Sequence, residues 1–319
     1  MVVCVNERLF FPRLRLENNV FLKSLVKTPG GNDTLKKIAW VTDSVSCISE
    51  DTAEKYGIYV VPLSIIFDGN SYKDGIELTN EEFYKKLKAS KVSPTTSQPA
   101  VGEFVELYEK MKQEYEMGIA IHVTSKVSGT LNASMLAAEI AGFNMVHIDS
   151  RIGAKALEYM MLEGARMDRE GYTGKEIAEH LQKLPERVRG LNLIGSLEQL
   201  HKGGRVSGVG MVIGNLLQIR PIIEFQNGEL VQLEKVRTTK KAENRIFELF
   251  KASYTEKGVY GVAVIHSNLS EKAGEWKERL SQIDPSLEIE VGDLSPVISA
   301  HVGEGTIGLM WFEKMPSEK

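Results

Sequence analysis

The chain has 319 residues, 42% of them hydrophobic and 26% charged, the make-up of an ordinary soluble globular protein long enough for two domains. Lys plus Arg number 39 against 43 Asp plus Glu, a formal net charge of −4 that argues against nucleic acid or an anionic membrane as the main partner. Two cysteines, Cys4 and Cys47, form no metal or redox spacing, and no apolar run approaches the ~18 residues of a membrane-spanning helix, so the reading is a reduced, cytoplasmic protein with no integral membrane segment.

Residues 1–36 mix basic side chains with scattered apolar ones (Leu9-Phe-Phe11, Val20-Phe-Leu22) and lack the compact core and cleavage site of a secretory signal. They are expected to be a disordered extension or the result of an upstream translation start; an amphipathic interfacial segment is the alternative. The fold is expected to begin at Lys37 with a short buried strand ending in Thr42-Asp43-Ser44. A helix over 48–56 closed by Gly57, a strand over 59–67 and a turn at Asp68-Gly69-Asn70 follow. Thr79 with Glu82 has capping-box spacing and opens a helix. Val92 to Ala100 then brackets Thr95, Thr96 and Ser97 between Pro94 and Pro99, which predicts a stiff loop presenting hydroxyls at the start of a helix near Val101. Taken alone, an ordinary helix entrance is the plainer reading of such a cluster.

Ile119 to Val123 reads as a buried strand that runs into Thr124, Ser125, Ser128 and Thr130 before a helix over 131–141 capped by Gly142. A strand over 145–148 and helices over 152–170 and 173–184 complete the strand–helix alternation of a mainly parallel sheet. Ligands in such sheets bind beyond the carboxyl ends of the strands, where two hydroxyl loops can converge on one carboxylate or phosphate. After Arg189 hairpins enter the pattern. Strands over 219–225 and 230–237 flank Gln226-Asn-Gly, a helix spans 240–257, Asn268 with Glu271 caps another, and strands fall near 287–291 and 306–312. The fold class is therefore α/β: a mainly parallel domain over 37–188, then an α+β domain over 189–319 with a partly antiparallel sheet.

Gly303-Glu-Gly-Thr-Ile-Gly308 matches a dinucleotide fingerprint, but 11 residues after it cannot build a βαβ unit. No Walker A sequence, G-x-S-x-G elbow or zinc spacing among the six histidines occurs. What remains reads as a binding protein without catalytic residues, metal or cofactor. His301 sits beside glycines that let backbone approach a ligand, and Arg205 follows two glycines. A packed histidine and a solvated arginine are the plainer readings of each.

Thr42-Asp43-Ser44, Pro94-Thr-Thr-Ser-Gln-Pro99, Ser125-Lys-Val-Ser-Gly-Thr130, Lys202-Gly-Gly-Arg-Val-Ser207, Lys235-Val-Arg-Thr238 and Ser299-Ala-His-Val-Gly-Glu-Gly305 resemble the DegV family in order and spacing, from Lys37 to about Phe312. The resemblance implies a protein that holds one long-chain fatty acid and serves as the acyl-binding subunit of a bacterial fatty acid kinase. A separate ATP-binding subunit phosphorylates the carboxyl group to acyl phosphate for phospholipid synthesis. It implies that Thr96 and Ser128 hold the carboxylate, with His301 near the head group. It puts Arg205 and Arg237 near the head group or at the kinase-docking face; Thr95 and Ser125 would support the head group. Lys126 departs from the glycine frequent there and is expected to point to solvent. Leu63, Ile65, Ile121, Leu131 and Ile194 are candidate tunnel walls. The alternative is a stand-alone esterase or phosphotransferase using Ser128 with His301; a DNA-associated regulator fits the acidic balance poorly.

Overall fold

The computed structural model describes residues 36–90, 92–206 and 219–314. The expected extension thus lies outside the described residues except for Lys36, which already opens the first strand. Strand β1 (Lys36–Asp43) pairs in parallel with β2 (Ile58–Val61) and β6 (Tyr115–His122), and β6 with β7 (Met145–Asp149), giving the order β2-β1-β6-β7. Helix α1 (Glu50–Tyr56) links β1 to β2 and ends on Gly57 in the left-handed region. Both faces of this sheet are covered, and the two-residue period of the strands divides their side chains. Ala39, Val41 and Ala120 pack with Phe104, Tyr108 and Met111 of α3 (Val101–Glu114) and Ala133 and Ala137 of α4 (Thr130–Ala141). Ile38, Trp40, Ile119 and Ile121 face Leu157, Met160 and Met161 of α5 (Ala154–Arg169) and Ile177 and Leu181 of α6 (Gly174–Leu181).

One predicted element breaks in two. The strand expected over 59–67 stops at Val61 and resumes as β3 (Ser64–Phe67) in a different sheet, because Pro62 offers no ladder N–H. β3 pairs antiparallel with β4 (Asn70–Lys73) across the Asp68-Gly69 turn, both residues at positive φ, and with β5 (Thr95–Ser97). The proline-bracketed loop is therefore a short strand. Helix α2 (Asn80–Ala89) starts with the full Thr79–Glu82 capping box.

The third sheet has the order β10-β9-β8-β13-β11-β12, antiparallel except for the parallel pair β11–β12. Its strands are β8 (Val188–Leu193), β9 (Ile219–Gln226), β10 (Glu229–Arg237), β11 (Val259–His266), β12 (Ile289–Asp293) and β13 (Ile307–Glu313). Helices α8 (Thr239–Lys257) and α9 (Ser270–Ser281) cover one face with Ile246, Phe250 and Trp276, against Leu191, Val262, Val264, Leu309 and Trp311. Asn268 does not cap α9: its backbone is left-handed, its side chain donates to Glu304, and Leu269 takes the cap position without a side-chain bond. Along β13, Leu309 and Trp311 enter this helix-covered core, whereas Met310 and Phe312 enter the core that holds Trp40 and Ile121. Ile223 and Ile265 alternate in the same sense. The inner face of the third sheet and the α5 side of the first thus build one continuous apolar core. No helix among the described residues is long and apolar enough to cross a membrane.

Trp311 is fully buried, edge-on to Phe250 at 5.4 Å, with its indole N–H donated to Ser253. Trp311→Ala is expected to cost about 3–5 kcal/mol in urea-induced unfolding, from lost burial plus cavity formation.

Candidate functional site

A cavity of about 340 Å3 opens inside the continuous core. Its apolar lining comes from both sheets and from α10 (Pro296–Val302): Leu63, Val123, Ile194, Phe225, Leu230, Ile265, Val297, Val302 and Met310. Its polar lining includes Thr96, Gln98, Ser128, Arg205 and His301, with Lys126.

Each polar group is placed by local structure. β5 pairs Thr96 with Ile65, and strand alternation turns Thr96 to the cavity while Thr95 and Ser97 lie exposed. His301 sits on α10, a short helix that starts with Pro296 at a position where a missing N–H is harmless. Three hydroxyls fix that helix: Ser299 meets Tyr84 at 3.1 Å and Ser267 at 3.0 Å, and Tyr84 meets Ser267 at 2.7 Å. Asp74 accepts from the Val297 amide at 3.2 Å, and burial pushes its carboxyl up to about 7. Held so, His301 brings Nε2 within 2.7 Å of Thr96 Oγ1. Burial, reinforced by the neighbouring Arg205 cation, pushes the His301 imidazole down to about 4. A neutral ring that donates from Nε2 leaves the Thr96 hydroxyl proton free for an incoming oxyanion.

Ser128 lies half-buried before α4, whose cap residue Gly129 has no side chain to offer. Ser128 Oγ accepts from the Thr130 amide at 3.3 Å and meets Thr130 Oγ1 at 2.8 Å. Gly129 leaves room for the Gln98 amide, since a Cβ there would stand 2.0 Å from Gln98 Oε1 and push that side chain aside. Arg205 follows α7 (Leu197–Lys202) and donates from Nε to the Val127 carbonyl at 3.3 Å, tying its loop to the Ser128 loop. The Asn227-Gly228 turn closes the same region: Thr124 donates to the Gly228 carbonyl at 3.0 Å.

Thr96, Ser128, Arg205 and His301 are thus brought to one cavity, together with Leu63 and Ile194. Ser125 is not, because its hydroxyl donates to Asp149 at the end of β7. Arg237, exposed at the end of β10, is not among the residues lining the cavity. Lys126 is exposed and 3.9 Å from Glu229, with its stem at the cavity edge. Ile65, Ile121 and Leu131 are buried in the core without lining the cavity. Sequence reasoning passed over Gln98, although it lies in the proline-bracketed motif, and it missed Phe225 and Leu230 of the β9–β10 hairpin. Ser128 and His301 make no hydrogen bond; the imidazole is engaged by Thr96 and the serine by Thr130.

A different set has the connectivity of a hydrolase triad: Asp43 Oδ2 to His122 Nδ1 and His122 Nε2 to Ser134 Oγ, each 3.0 Å. All three are fully buried, and Ser134 Oγ also meets Tyr108 OH at 2.5 Å and His147 Nε2 at 3.0 Å. Asp43 further accepts the amides of Val45 and Val123, two cavity-lining residues. The set is a structural staple of the strand ends.

The chain is an α/β protein with an apolar cavity between two sheets, whose polar side carries hydroxyls and a neutral histidine. The family model described as "Uncharacterised protein, DegV family" matches residues 37–314, and the chain belongs to that family. A DegV domain-containing protein of Halalkalibacterium halodurans is 38% identical over 280 residues, 87% of this chain and 99% of that protein. The crystal structure of DegV, a fatty acid binding protein from Bacillus subtilis, matches with a TM-score of 0.80 at 35% identity, over 87% of this chain and 99% of that one. A fatty acid binding DegV family protein from Streptococcus agalactiae matches with a TM-score of 0.81 at 30% identity, over 88% and 100%.

The depressed His301 value has a consequence for stability. The unfolded chain takes up a proton near 6.5 and the folded site only near 4, so stability present above about pH 6.5 is lost as pH falls towards 4. His147, also held down to about 4 by burial, titrates in the same window. The ligand-free melting temperature is expected to fall between pH 6.5 and 4, and His301→Gln to flatten part of that slope, measured by calorimetry across pH.

Proposed function

We propose that this protein binds one long-chain fatty acid, with its carboxylate at Thr96 and Ser128 and its tail in the cavity between the sheets. The observation that carries the reading is the combination of an apolar cavity with the Thr96–His301 pair and Ser128 at its polar side. The fatty acid binding described for the Bacillus and Streptococcus relatives supports it. Burial of the tail contributes about 0.8 kcal/mol per methylene, the main source of affinity in this reading. Thr96, Ser128 and the neutral His301 ring are the polar groups nearest the carboxylate, with the Arg205 cation, held by the Val127 carbonyl, beside them.

That arrangement suits a carboxylate that must still react. In the finer reading the protein is a cytoplasmic, non-catalytic subunit that presents the fatty acid to a separate ATP-binding kinase subunit. A carboxylate oxygen attacks the terminal phosphorus of ATP, the bond to the ADP oxygen breaks, and acyl phosphate and ADP result. Residues 37–188 supply the carboxylate loops and residues 189–319 complete the tunnel, with the exposed Arg237 a candidate contact for the kinase.

Native mass spectrometry of gently purified protein, with lipid extraction alongside, tests the binding reading. The expected result is an added mass near that of a C16 or C18 acid that is lost from the Thr96→Ala/Ser128→Ala double variant. A bare mass that added oleate or palmitate does not shift contradicts it.

A further inference from the structure

The cavity between the sheets holds one polar group that the carboxylate site does not use. Strand β8 alternates across its sheet: Leu191 and Leu193 pack into the helix-covered core, and Asn192 between them turns to the cavity, 4% exposed. Its pairing partners are Ile223 of β9 and Gly308 of β13. A Cβ at Gly308 would overlap the Asn192 carbonyl oxygen, so the missing side chain makes room for the amide. Thr306, the other buried polar residue of the lining, is satisfied: it donates to the Val302 carbonyl and accepts from the Gly195 amide, each at 2.9 Å. Asn192 is not. Its Nδ2 reaches the carbonyls of Gly190 and Ile223 only at 3.4 and 3.5 Å, the outer limit of a hydrogen bond, and its Oδ1 has no donor among the described residues. A buried amide left so is costly, and a saturated tail, with neither donor nor acceptor, cannot relieve it.

We propose that Asn192 is a specificity-determining residue of the cavity, and that the preferred ligand is a long-chain fatty acid bearing a hydroxyl group along its tail. The inference rests on the fatty-acid reading and adds to it the class of chain. A hydroxyl both donates and accepts, so it can donate to Oδ1 or, with the amide turned over, accept from Nδ2. An oxo group only accepts, and a carbon–carbon double bond brings no donor. Ile194, Ile265 and Met310 line the same cavity, so a hydroxyl is matched at one position of the chain and left unpaired against apolar side chains at others.

Calorimetry on the full chain compares stearate with a series of monohydroxystearates that differ in the position of the hydroxyl. One position is expected to bind the wild type about tenfold more tightly than stearate, and hydroxyls placed elsewhere to bind more weakly than stearate. Asn192→Leu is expected to reverse the order, because it removes the amide and improves the apolar fit of stearate. Asn192→Ala, which adds no bulk, is expected to abolish the advantage as well. A series in which no position exceeds stearate, as when water satisfies the amide, overturns the proposal, and so does an advantage that survives both substitutions; either result leaves the fatty-acid site standing. A wild-type protein that binds neither stearate nor any hydroxy acid overturns the fatty-acid reading itself.

Discussion

The 2.7 Å contact between Thr96 and His301 joins residues 205 positions apart in the chain, and much of the structure is arranged to make it possible. Thr96 comes from a three-residue strand that exists only because β3 is there to pair with it. β3 is there because Pro62 ends β2 and frees the chain to leave the parallel sheet. His301 comes from a short helix held by the Ser267–Ser299–Tyr84 cluster and by Asp74. A contact assembled this way depends on the whole fold, so a polar pair can stand beside an apolar chamber without collapsing into it.

The chamber itself follows from strand alternation. Met310, Phe312, Ile223 and Ile265 point inward from the third sheet while Trp311, Leu309, Val262 and Val264 point to its helices. Ile119 and Ile121 do the same for the first sheet. Two sheets with opposed inner faces bury apolar surface continuously, and the glycine turn of the β9–β10 hairpin docks on Thr124 to close the layer. The electrostatics of the polar side combine a His301 ring that burial and Arg205 keep neutral at pH 7 with the Thr96 and Ser128 hydroxyls and the Arg205 cation.

Much of this was legible in one dimension because it is local. The capping box at Thr79 forms as its spacing implies, and Gly57 and Gly142 end helices in the left-handed region. The Asn227-Gly228 turn and the change from parallel to antiparallel pairing were equally readable. The misses are tertiary. Asn268 has the spacing of a cap but is claimed by Glu304, 36 residues away. Ser125 looks like a partner of Ser128 until Asp149 takes its hydroxyl. Leu63 and Ile65 read alike in sequence, yet Leu63, just before β3, reaches the cavity, whereas Ile65, paired with Thr96 inside the strand, is buried in the core without lining it.

The central claim is that the acyl carboxylate sits at Thr96 and Ser128 with the tail between the sheets. A crystal structure with a terminally brominated C16 fatty acid tests it most directly, since anomalous scattering marks the tail end and the density marks the head. The account predicts carboxylate oxygens within hydrogen-bond distance of Thr96 Oγ1 and Ser128 Oγ, and bromine deep among the apolar residues that line the chamber. Bromine beside Thr96, or a lipid bound outside the chamber, would contradict it.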